Sequence, residues 1–102
     1  MIFIETPTFE ADREDHFSDE SFAELQQLLA DRPGSGAVIP GGHGLRKLRV
    51  AQPGRGKRGG ARVIYYWRTA EDQILLVAVF AKNVRVNLTP AQLKALAKAY
   101  AG

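Results

Sequence analysis

An α+β domain is the fold class this sequence predicts: a largely antiparallel four-stranded sheet, two N-terminal helices on one of its faces and a C-terminal helix. Three observations carry it. Helix-start signals at Thr6-Pro7 and Ser18 open two successive stretches near the N-terminus; three strand-like segments crowd between Leu45 and Lys82; and Thr89-Pro90-Ala91-Gln92 opens a last helix. Strands that follow one another, with helices before and after rather than between them, suit an α+β architecture rather than a doubly wound one.

Taken in order, Met1 to Ile4 is a short apolar strand. Thr6 can cap a helix whose first position is Pro7, where the missing proline N–H costs little. Over Pro7 to Phe17, Phe9, Arg13, His16 and Phe17 share a broad stripe and acids fill the other faces. Ser18 caps the next helix, with Asp19 and Glu20 at the positive end of its dipole and Phe22, Leu25, Leu28 and Leu29 as its apolar stripe; it stops before Pro33-Gly34. Gly34 to Gly44 reads as an irregular connection. Strands are expected at Leu45–Ala51, Ala61–Thr69 and Gln73–Lys82, the last two joined as a hairpin through Ala70-Glu71-Asp72. The last of these is apolar on both faces and is therefore expected inside the sheet. Thr89, Pro90 and Gln92 form a capping box, and Leu93, Leu96, Ala97 and Tyr100 share one face of the helix that follows.

Composition narrows the class of protein. At 102 residues, 45% hydrophobic and 25% charged, the chain has the make-up of a single folded domain. The absence of cysteine excludes disulfides and thiolate metal sites and is compatible with a reducing cytoplasm. The longest apolar run, Ile74 to Ala81, is eight residues, against roughly 20 for a spanning helix. No basic leader precedes a hydrophobic segment, so a soluble, unexported, cytoplasmic protein is expected.

Charge is the most informative feature. The formal net charge of +3 conceals nine acids against one base in residues 1 to 31, and nine Lys or Arg with no acid between Arg32 and Ala70. Cations collected without countercharge suit a polyanion, because phosphate contacts release counterions without any need to read sequence. Period-two geometry places Arg62, Ile64, Tyr66 and Arg68 on one face of their strand and Val63, Tyr65 and Trp67 on the other, and it groups Lys47 with Arg49. With helices over the Val63 side, the Arg62 side is left open and continues into Pro53-Gly-Arg-Gly-Lys-Arg-Gly-Gly60, whose glycines permit close backbone approach to a ligand. Phe80 and Lys82 share a face of the last strand. Tyr66 can pack on the sheet or stack on a base.

Five blocks in sequence order resemble the RelE/HigB family of type II toxins, specifically its HigB-like branch: Met1-Ile-Phe-Ile-Glu-Thr-Pro7, Gly44-Leu-Arg-Lys-Leu-Arg49, Pro53 to Arg62 running into Val63-Ile-Tyr-Tyr66, Ala81-Lys-Asn83 and Leu88-Thr-Pro-Ala-Gln92. The resemblance covers almost the whole chain. It implies a ribosome-dependent endoribonuclease that cuts messenger RNA in the decoding site and is held inactive by a cognate antitoxin, with no small-molecule cofactor, metal or membrane involved. Carried over by position, Arg62 binds the scissile phosphate, Arg55, Lys57 and Arg58 bind phosphate and stabilise charge, with Lys57 in the catalytic set, and Lys82 has a proton-transfer or electrostatic role. Lys47, Arg49, Tyr66, Arg68 and Asn83 complete the expected RNA contacts. The chain departs from RelE at Asn83, where RelE has arginine, and in Val84-Arg-Val-Asn87, which lacks the catalytic tyrosine. It departs from HigB-like members at Phe80, where they usually have tyrosine. The general base is therefore unassigned.

His43 lies between Gly42 and Gly44 in the expected loop and His16 on the first helix; neither has a second ligand at metal-binding spacing. The glycine-rich segment lacks the Walker spacing and opens no helix, which argues against ATP or GTP. Two further functions fit the same residues: a ParE-like gyrase poison, which Arg62 and the cationic loop disfavour, and a basic nucleic-acid-binding module without catalysis.

Overall fold

The computed structural model describes residues 1–51, 60–81 and 89–100. Its elements are β1 (Ile2–Glu5), α1 (Pro7–His16), α2 (Asp19–Asp31), β2 (Ala37–Val38), β3 (Leu45–Val50), β4 (Ala61–Arg68), β5 (Gln73–Ala81) and α3 (Pro90–Tyr100). The sheet has five strands in the order β1-β5-β4-β3-β2, not four. The additional strand, β2, lies in the stretch expected to be irregular, where Ala37 pairs with Lys47 and Val38 with Arg46. Two residues among glycines carry no alternation that would reveal a strand. β1 runs parallel to β5; every other pairing is antiparallel.

The helix starts follow the local chemistry of the sequence. The Thr6 hydroxyl accepts from the Phe9 N–H at 3.2 Å, with Pro7 in the first helical position. Ser18 and Ser21 cap α2 reciprocally, side chain to backbone in both directions. At α3, the Gln92 N–H donates to Thr89 Oγ1 at 3.2 Å and the Thr89 N–H to Gln92 Oε1 at 2.9 Å, which is the expected capping box.

One face of the sheet is covered by α1 and α2. Phe9, Phe17, Phe22, Leu25 and Leu29 pack on Leu48, Ala61, Val63, Tyr65, Ile74, Leu76 and Val79. The phenylalanine rings of Phe9 and Phe22 lie 6.1 Å apart and those of Phe17 and Phe22 6.0 Å, both tilted. Leu28, expected in the α2 stripe, is 40% exposed instead, since the helix meets the sheet along the narrower line of Phe22, Leu25 and Leu29. Arg13 lies across the Phe22 ring, 4.7 Å from its centroid, and pairs with Glu5 at 3.1 Å, so this one cation of the acidic N-terminal third serves the fold.

The opposite face is not wholly open. Leu45, Ile64 and Val77 form a second buried cluster there, with Ile39, Tyr66, Ala78 and Phe80 packed around it. The face changes partway along β5. Tyr65 pairs with Leu76 but Ile64 with Ala78, so Val77 is an extra residue in a β-bulge. Ile74 and Leu76 before the bulge and Val79 after it therefore face the helices, while Val77, Ala78 and Phe80 face away. Among the described residues, no helix is long and apolar enough to cross a membrane.

Candidate nucleic-acid interface

β3 and β4 bring two predicted cations face to face. Arg49 pairs with Arg62 across the antiparallel ladder, so both side chains leave the sheet on the side away from α1 and α2, from backbones about 5 Å apart. On the other side of β4, Phe80 pairs with Arg62. Arg49, Arg62 and Phe80 thus form one row across three strands. The next row is Lys47, Ile64 and Ala78. Arg49 and Lys47 are exposed; Arg62 and Phe80 are half-buried.

The tip of Arg62 lies toward the start of its strand. A Cβ placed on Gly60 would be 3.9 Å from Arg62 Nη1 and 3.5 Å from the Val50 carbonyl. Arg62 therefore stands where β3 ends and β4 begins. Arg55, Lys57, Arg58, Lys82 and Asn83 lie outside the described residues.

Arg68 is at the other end of the face. It pairs with Gln73 beside the hairpin turn, about 20 Å along the strand from Arg62 at 3.3 Å per residue. It does not join the Arg49–Arg62 row. Tyr66 pairs with Leu45 and packs against the second cluster. A Cβ on Gly44 would come within 2.7 Å of its ring, and Gly44 has φ of +99°, so a glycine is needed there both for its backbone and for the closeness of the phenol ring. Of the two readings of Tyr66, this geometry matches packing on the sheet.

No acid opposes the paired arginines. The chain has 11 Asp and Glu: Glu5 at the end of β1, eight on α1 and α2, and Glu71 and Asp72 at the β4–β5 turn. None belongs to β2, β3, β4 or β5. Like charges directly opposite on neighbouring strands are unfavourable without a counterion, so the row is suited to an anion. Among the described residues no group of three His, Asp or Glu could hold a metal ion. His43 is exposed, with φ of +54°, and His16 is half-buried on α1.

Residues 12–102 match the family model of the RelE toxin of the RelE/RelB toxin-antitoxin system. The chain belongs to the RelE toxin family. Its fold is also similar to that of a chain in the crystal structure of the intact E. coli RelBE toxin-antitoxin complex, with a TM-score of 0.60 and 14% sequence identity over 82% of this chain and 98% of that one. As a RelE-family toxin it has the mixed α+β architecture expected from its sequence, with one more strand.

Two features of this RelE-family fold were not anticipated from sequence. Arg46 points to the helix side, where Nη1 donates to the Gly36 carbonyl at 2.8 Å and to that of Gly34 at 3.3 Å. Beside it the buried Tyr65 hydroxyl donates to the Pro33 carbonyl at 2.7 Å and accepts from the Gly36 N–H at 2.8 Å. These bonds hold the segment after α2 in place for β2 to pair. Burial raises the Tyr65 pKa above its ordinary 10, against the opposing effects of the Gly36 N–H and the Arg46 charge. Its period-two position among core residues was a signal of burial but not of its partners. The second feature is Phe80 beside Arg62, which depends on the bulge; a run of apolar residues with no alternation gives no sign of where the face changes.

Proposed function

We propose that this toxin cleaves messenger RNA on the ribosome, as a metal-independent endoribonuclease, and that an antitoxin encoded beside it holds it inactive. The row of Arg49 and Arg62 on a carboxylate-free sheet face is the observation that carries this reading. The 2′-hydroxyl of one nucleotide attacks the adjacent phosphorus, a 2′,3′-cyclic phosphate forms, and the bond to the 5′-oxygen of the next nucleotide breaks. The proton lost by the 2′-oxygen goes to a base and the 5′-oxygen takes one from an acid. Charge on the phosphoryl oxygens grows on the way, and guanidinium groups fixed beside them stabilise it. Arg62 holds the scissile phosphate, Arg49 its neighbour, and Lys57 and Lys82 supply further positive charge or a proton. Arg55, Arg58, Lys47 and Asn83 bind flanking RNA. We read the motif blocks as those of the HigB-like branch, and the site of action as the cytoplasm, where ribosomes translate.

The test is primer extension on messenger RNA from cells expressing the chain. New 5′ ends confined to translated regions are expected, and they disappear with Arg62→Ala. Growth arrest with intact transcripts rejects the reading; accumulation of gyrase–DNA cleavage complexes would replace it with gyrase poisoning.

A further inference from the structure

The segment Met1 to Pro7 has no role in the chemistry above, yet it lies at the sheet edge against β5, the strand that carries Phe80. Thr6 is 3% exposed. Its hydroxyl donates to the Val77 carbonyl at 2.8 Å, across 71 residues of sequence, and its N–H donates to the Leu76 carbonyl at 3.0 Å. Val77 is the extra residue of the β5 bulge. A bulge leaves backbone groups out of the ladder, and a buried one is tolerated only where they find other partners. Thr6 provides that partner.

The bulge decides which way Phe80 faces. Strict alternation from Ile74 and Leu76 would turn Ala78 and Phe80 toward α1 and α2. The added residue reverses this, so that Val79 joins the helix-side core and Phe80 stands directly across from Arg62. Phe80 is the one aromatic residue of β5. One part of it packs against the cluster of Leu45, Ile64 and Val77, and the rest is accessible. A half-exposed ring next to an anion-binding guanidinium matches the two parts of a nucleotide, an apolar planar base and a charged phosphate.

We propose that the Thr6-capped bulge turns Phe80 onto the cationic face, where its ring stacks on a base of the RNA whose phosphate Arg62 binds. The proposal rests on the reading of the face as an RNA site. It assigns Phe80 to binding and Thr6 to positioning.

The test uses 2-aminopurine, whose fluorescence is quenched by stacking, at successive positions of a 2′-O-methyl messenger that lacks the attacking hydroxyl, both free and loaded on ribosomes. The wild-type protein quenches one position. Phe80→Leu, which keeps the apolar bulk, removes the quench and weakens binding about tenfold, with the salt dependence unchanged because no phosphate contact is lost. Phe80→Tyr retains the quench. Thr6→Val reduces it and Thr6→Ser restores it, whereas Phe80→Leu with wild-type quench and affinity, or no quench by wild-type protein in either format, overturns the proposal. Thr6→Val with an undiminished quench removes the bulge's part in it. Arg62→Ala, measured in parallel, lowers affinity and salt dependence together; if it binds as wild type does, the RNA reading of the face itself has failed.

Discussion

Two guanidinium groups placed opposite one another on adjacent strands repel when nothing lies between them. Cross-strand pairs contribute roughly 0.2 to 1 kcal/mol, with like charges on the unfavourable side, so Arg62→Ala is expected to leave folding stability equal or slightly raised while toxicity is abolished. A growth assay with a thermal melt on the same variant checks both halves. Tyr65→Phe is expected to do the reverse. It strips a donor from the Pro33 carbonyl and an acceptor from the Gly36 N–H, at a cost of about 1 to 3 kcal/mol in urea denaturation, and leaves Arg49 and Arg62 in place. The hydroxyl also makes stability depend on pH. Because the folded state holds the Tyr65 proton more tightly than the unfolded chain does, its contribution is complete below the ordinary tyrosine pKa of about 10 and is lost as pH rises through the higher folded value. Unfolding midpoints measured from pH 8 to 11 should therefore fall more steeply for wild type than for Tyr65→Phe. Gly44→Ala meets both a positive φ and the Tyr66 ring at 2.7 Å, and a lowered melting temperature is the expected outcome.

At the scale of elements, the strands and helices with strong local signals were legible in the sequence. Thr6, Ser18 and Thr89 each cap the helix they were expected to start, and the sorting of Val63, Tyr65 and Trp67 from Arg62, Ile64 and Tyr66 holds in the sheet. What could not be read depends on contacts between distant segments. β2 is two residues long and exists because Arg46 and Tyr65 hold the segment before it. The β5 bulge lies in an apolar run, and the hydroxyl that bonds its Val77 carbonyl belongs to Thr6, 71 residues away in sequence. The Arg62 face was expected to be open, but Ile64 is only 1% exposed, because the sheet buries apolar residues on both sides. The segment between β3 and β4, outside the described residues, carries a prediction of its own kind. Lys57→Ala and Arg58→Ala should each weaken RNA or ribosome association and lower the slope of log affinity against log salt by about one, as the loss of a single phosphate contact requires.

The whole molecule separates its charges by layer. Acids occupy the end of β1, α1, α2 and the β4–β5 turn, and the strands β3 and β4 turn Lys47, Arg49, Arg62 and Arg68 away from the helices, with no acid among them. A layer arrangement of this kind directs a polyanion to one side of the globule and repels it from the other. An acidic partner protein would be steered in the same way, so association of the cognate antitoxin should slow markedly when salt is raised from 50 to 500 mM, with dissociation changing less, as stopped-flow measurement would show. β1 gives this arrangement a timetable. It is made before the strand it pairs with and joins the sheet beside Gln73 to Leu76, and Thr6 bonds a carbonyl 71 positions later. At the usual 5 to 20 residues per second, that separation takes roughly 4 to 14 s to synthesise. A nascent chain therefore cannot set the proposed stacking ring of Phe80 against Arg62 until residues 6 to 80 have all been made.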